Sequence, residues 1–125
     1  MLLDSYAWIE FFKGNEAGQK VARIIQEEKC FTSIISLTEI VGWCLKNNLE
    51  AKIQEYVKGV EKGSTILGIT KEIAVIAGEI NYERKKKVEG WGIADSIISA
   101  TALFANLTII TGDSHFKDFR NVVML

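Results

Sequence analysis

A chain of 125 residues, 48% hydrophobic and 25% charged, is long enough for one domain with a real core and too apolar to stay disordered. Its 15 basic residues against 16 acidic ones exclude a uniformly basic nucleic-acid binder but leave room for a local basic patch. No apolar run is long enough to span a membrane, and the start MLLDSYAW lacks the basic region of a signal peptide. Cys30 and Cys44 form no CxxC or Cys/His pattern, so reduced, packed thiols in a cytoplasmic protein are expected.

Residues 1–4 are a short apolar run ending at Asp4 and predict a buried strand. Residues 5–13 read as a helix with Tyr6 and Ile9 on one side, broken at Gly14-Asn15. A second helix over 16–29 turns Val21, Ile24 and Ile25 toward the core. The β-branched and aromatic run 30–34 predicts a strand. Ser36 then opens a helix to about residue 47, carrying Leu37, Ile40, Val41, Cys44 and Leu45. After the turn Asn47-Asn48, a partner helix runs from about 49 to 63 with Ile53, Tyr56, Val57 and Val60 at helical spacing, giving a helical hairpin.

Residues 64–69 predict a further strand, and Thr70 is a good N-cap for a long helix with Ile73, Ile76, Ala77 and Ile80 inward. That helix ends in the basic run Arg84-Lys85-Lys86-Lys87. The turn Gly90-Trp91-Gly92 leads to a helix that is apolar nearly all round and is expected to be buried. Strands over 107–111 and 122–125 close the chain. Strands alternating with helices predict a single α/β domain over residues 1–125, a three-layer α/β/α arrangement around a parallel sheet of four to five strands.

Four acids carry the candidate chemistry. Asp4 and Asp113 follow strands, at the carboxyl edge where open α/β sheets gather ligands; Glu39 lies just beyond a third strand. Asp95 reaches the same rim from the start of its apolar helix, where a carboxylate needs a partner. Each also has a structural alternative. Asp4 is a natural N-cap, although Ser5 can cap equally well. Ser36 and Glu39 match a capping box, and Thr-Gly-Asp is ordinary turn chemistry around Asp113. Asp118 has basic neighbours to pair with, and His115 is a lone histidine. Two carboxylates ~5 Å apart repel by about 3 kcal/mol at an effective dielectric near 20. A cluster of four therefore takes up protons or binds a cation, and oxygen donors suit Mg²⁺ or Mn²⁺ rather than Zn²⁺.

Read together, LLDSYAWIEFF, SLTEIVG, GIADSIISATAL and LTIITGDSHF resemble, in order and spacing, the motifs of the PIN-domain family, most closely the small toxins of VapC type. The resemblance covers nearly the whole chain. It implies a metal-dependent ribonuclease, often a homodimer, commonly held inactive by a small antitoxin protein. By the same resemblance Asp4, Glu39, Asp95 and Asp113 become metal ligands and catalytic acids, with Ser5 and Thr111 as supporting hydroxyls. Two departures are visible: Gly112 stands where the family often has a larger residue, and Trp91-Gly92 replaces a proline-containing turn.

Two other classes compete. One is an inactive module of the same fold that binds RNA or a protein. The other is a phospho-receiver domain, which wants paired acids after the first strand and an Asp ending the third. Here Asp4 stands alone and the strand over 64–69 ends without an acid. The run 84–87 is either a solvated helix end or a rim for RNA phosphates. Trp8, Phe11, Phe12, Trp43 and Tyr56 are core residues or part of a partner surface.

Overall fold

Five short strands and six helices alternate in the computed structural model, which describes residues 1–125. The strands are β1 (Leu2–Leu3), β2 (Phe31–Ser33), β3 (Thr65–Leu67), β4 (Ile109–Thr111) and β5 (Val122–Met124). The helices are α1 (Ser5–Lys13), α2 (Glu16–Glu27), α3 (Ile34–Lys46), α4 (Ile53–Gly63), α5 (Lys71–Lys85) and α6 (Ile93–Ala105). All strand pairs are parallel, in the order β3-β2-β1-β4-β5, giving the expected three-layer α/β/α fold.

Successive residues of a strand point to opposite faces, and the core divides accordingly. Leu3 and Ile110 join Trp8, Val21, Ile40 and Val60, contributed by α1 to α4. Leu2 and Ile109 join Trp91, Ile98, Ala102 and Phe116 on the other face. Ile73 and Ala77 of α5 meet Ala100 of α6 in a smaller cluster. The aromatic residues in question pack together: Phe12 stacks on Tyr56 at 4.1 Å, with Trp8 and Trp43 flanking the pair.

Several local expectations are corrected. Within α1 the fully buried residues are Ala7 and Trp8, while Tyr6 is 41% exposed. Helix α3 starts at Ile34, because the Ser33 side chain accepts the Ile35 N–H and turns the chain early. Ser36 therefore lies inside the helix, buried, with its Oγ unpartnered, and no capping box forms with Glu39. A 3₁₀ turn, Glu50–Lys52, precedes α4 where one continuous helix was expected.

Helix α6 is not buried all round. Apart from Ile98, its buried residues are small, namely Ser96, Ser99, Ala100, Thr101 and Ala102, whereas Ile93, Leu103 and Phe104 are more than half exposed. Ser99 and Thr101 donate their hydroxyls to Asp95 and Ile97 carbonyls of their own helix at 2.8 and 2.7 Å. Burial thus leaves no unpaired hydroxyl there, and small side chains allow close approach to α5.

Candidate metal centre

The chain leaves β1 for β2 and β3 on one side, then returns to β4 and β5 on the other. The crevice at the carboxyl ends of β1 and β4 is therefore a topological switch point. Asp4 stands directly after β1, and Asp113 two residues after β4. Glu39 comes from the second turn of α3, and Asp95 from the first turn of α6.

Each carboxylate is held by a donor. Asp4 is the N-cap of α1, its Oδ1 accepting the Ala7 N–H at 2.9 Å. Ser5 does not cap that helix; its Oγ donates to Glu39 Oε1 at 2.9 Å, tying α1 to α3. Asp95 Oδ2 accepts the Gly92 N–H at 3.0 Å, so the backward-reaching bond expected of Glu39 is made by Asp95 instead. Asp113 Oδ1 accepts the His115 N–H at 2.9 Å and lies 3.2 Å from His115 Nδ1. Thr111, fully buried, accepts the Asp113 N–H on its Oγ1 at 3.0 Å.

The electrostatics tie the four together. Burial pushes Asp4 up to about 7, with the charges of Glu39 and Asp113 adding to the rise; Thr111 and Ala7 pull it down. Burial also raises Glu39, opposed by the Ser5 hydroxyl and reinforced by Asp95 and Asp113. Asp95 is raised by burial and by Asp113, and lowered by the Gly92 N–H and by His115. Residues far apart in sequence thus feel one another's charge in a single crevice.

As the side chains stand, no group of three or more His, Cys, Asp or Glu residues is spaced to hold a metal ion. Each carboxylate leans on its own donor, and mutual repulsion favours that spread. The chemistry of the donor set nonetheless fits a hard divalent cation: four carboxylates, hydroxyls beside them, and a buried acid whose carboxyl is pushed up to about 7 by burial and by its neighbouring carboxylates.

Sequence reasoning missed Tyr6. Its ring fills the space above Gly112: a Cβ at that glycine would collide with Tyr6 Cε1. The glycine that departs from the family pattern is thus matched by an aromatic ring at the rim of the acid crevice. Asp118 does not belong to the acid group. It pairs with Arg84 at 2.6 Å, which holds it below the usual carboxylate range, and not with its sequence neighbours Lys117 or Arg120. The largest cavity, about 730 Å³, also lies away from the acids; Ile80, Arg84, Leu103 and Phe119 line it.

No curated protein sequence matches the chain. Among solved structures, a toxin–antitoxin complex from Klebsiella pneumoniae superposes with a TM-score of 0.77 at 26% identity, covering 98% of this chain and 95% of that one. VapBC2 from Rickettsia felis, bound to a promoter DNA fragment, gives 0.76 at 18% identity, covering 99% and 96%. The sarcin–ricin loop cleaving toxin VapC20 of Mycobacterium tuberculosis gives 0.79 at 13% identity, covering 99% and 98%. At such identities these last two show a shared fold alone. The sequence also matches the PIN domain profile over residues 1–122, a span that includes all four acids. The chain belongs to the PIN-domain family.

Proposed function

We propose that the protein is a Mg²⁺- or Mn²⁺-dependent ribonuclease that hydrolyses RNA phosphodiester bonds, and that it is the toxin of a toxin–antitoxin pair. The observation that carries this reading is the convergence of acids from four separate segments on one switch point, where burial and neighbouring carboxylates raise Asp4, Glu39 and Asp95. Family membership and the likeness to a toxin–antitoxin complex support it.

In this reading Asp4, Glu39, Asp95 and Asp113 hold the cation. The chemistry that such an ion would supply is a lowered pKa for a bound water and an offset of charge on the leaving oxygen. The chain's own groups do the positioning. Ser5 fixes the Glu39 carboxylate, the Gly92 N–H aims Asp95, and Thr111 receives the N–H of Asp113. Asp4, whose carboxyl burial pushes up to about 7, would have to be deprotonated to serve as a ligand.

A small antitoxin protein and a second copy of the chain are the proposed partners. Complexes with antitoxins among the structural neighbours support the first. The outward apolar residues Ile93, Leu103 and Phe104 of α6 support the second. The proposed location is the cytoplasm, supported by two unpaired, buried cysteines. No helix is long and apolar enough to cross a membrane.

The test is cleavage of a panel of structured and single-stranded RNAs with Mn²⁺, with chelator, and with Asp95→Asn. We expect metal-dependent cleavage that Asp95→Asn reduces by at least two orders of magnitude while the circular dichroism spectrum stays unchanged. Cleavage that survives either Asp95→Asn or chelation assigns the activity to something else. RNA binding without cleavage supports the inactive-module alternative instead.

A further inference from the structure

The basic run 84–87 does not act as one unit. Arg84 turns inward: it donates to both Asp118 carboxylate oxygens at 2.6 and 2.9 Å and to the His115 carbonyl at 2.7 Å. Its guanidinium also lies 4.5 and 4.6 Å from the rings of Trp91 and Phe119. Lys86 pairs with Glu83 at 3.7 Å. Lys87, in contrast, is exposed and makes no ion pair, and the same holds for Lys117.

These two free lysines, from different segments, line one open notch of about 420 Å³ together with Glu89, Ser114, His115 and Asp118. Ser114 and His115 follow Asp113 directly, so the notch opens beside the acid crevice. The Asp118 charge is already offset by Arg84. That leaves two ammonium groups and a hydroxyl against the single carboxylate of Glu89. The His115 ring forms a wall held against Gly90, which has a φ of 82°; a Cβ there would meet the ring at 3.3 Å. The left-handed backbone and the close contact both favour glycine at that turn.

We propose that this notch is a phosphate subsite, in which Lys87, Lys117 and the Ser114 hydroxyl hold a backbone phosphate of the RNA strand next to the one being cleaved. This inference rests on the ribonuclease reading. Its physical basis is charge balance. A crevice of four carboxylates repels a polyanion, so part of the attraction that seats the strand must come from cations close by. The notch is the concave place beside Asp113 that supplies them. Lysine ammonium groups on flexible stems suit a phosphate approached as a point charge.

The experiment measures kcat and KM for a single-stranded RNA as a function of NaCl concentration in the full chain. It compares wild type, Lys87→Gln/Lys117→Gln, and a control pair on distant exposed lysines, Lys20→Gln/Lys58→Gln. Methylphosphonate, a neutral linkage, is also placed singly at each position flanking the cleaved bond. For the notch pair we expect KM to rise about tenfold with kcat little changed. The salt slope of kcat/KM should fall by about 0.7, the release expected for one single-strand phosphate. One neutral linkage should weaken wild type but not the notch pair. A notch pair that matches the control pair, in a protein that cleaves RNA, overturns the subsite alone. A wild-type protein that neither binds nor cleaves RNA overturns the ribonuclease reading, and the subsite with it.

Discussion

Asp4 serves two ends with one carboxylate. It caps α1 through the Ala7 N–H, and it sits 3% exposed at the end of the central strand beside two other acids. Its pKa in the fold, about 7, lies above the ordinary 3.8, so the folded state binds the proton more tightly than the unfolded chain. Stability from this group is fully present below about pH 4 and is lost as pH rises through about 7. Three units correspond to roughly 4 kcal/mol. Glu39 and Asp95 are raised too and act in the same direction. Thermal melts in chelator should therefore show the melting temperature falling between pH 4.5 and 8. Asp4→Asn should flatten most of that fall, because an Asn side chain still caps the helix while carrying no charge to bury. Equal slopes in wild type and Asp4→Asn would mean that the charge on Asp4 is not what the fold resists. At the same rim, the pairing of Tyr6 with Gly112 predicts that Gly112→Val forces the ring outward, with more loss of activity than of stability.

The segment after β4 gives the element scale its clearest case. Arg84, on α5, reaches across to hold Asp118 and the carbonyl of His115, and packs against two aromatic rings that stack on each other. Arg84→Ala removes two ring stackings and a carbonyl bond, a loss of about 2 kcal/mol, and frees the turn that carries Asp113 and His115. The expected result is a lower urea midpoint with unchanged m-value, partly restored by Arg84→Lys; an unchanged midpoint would remove Arg84 as the anchor. None of this was legible in the sequence, because a run of four basic residues at a helix end looks solvated and the partner lies 34 positions away. What was legible came from periodicity and order. Ile73, Ile76, Ala77 and Ile80 face inward as spaced, and the alternation of strands and helices gave the parallel sheet. What failed was local competition. Ser and Asp can each open a helix, and the structure takes Ser33 where Ser36 was expected and Asp4 where Ser5 could equally serve. In α6 the large apolar residues suggested burial all round, yet apart from Ile98 the small ones took the inner face.

At the scale of the whole molecule, the strand order explains why four weak local signals converge on one crevice. Because the chain reverses direction of growth at β1, residues 4 and 113 end on adjacent strands, and helices α3 and α6 flank the crevice between them. A cation bound there links the first strand, the third and sixth helices and the segment after β4. It therefore acts on global stability and not only on chemistry. A ligand at about 100 times its Kd adds about 2.7 kcal/mol, which for a domain of this size is a rise in melting temperature on the order of 10 °C. The rise should grow between pH 5 and 8, since the ion competes with the proton that Asp4 retains to about 7. Differential scanning calorimetry with Mn²⁺ against chelator measures it directly. Wild type should gain the full shift and Lys87→Gln/Lys117→Gln the same shift, because those lysines are proposed to meet RNA and not the ion. Asp113→Asn should lose most of it, as one of the four oxygen sources is gone. An equal gain in wild type and Asp113→Asn would place the bound ion elsewhere on the surface, and no gain in either would leave the acids as a charged crevice that folding merely tolerates.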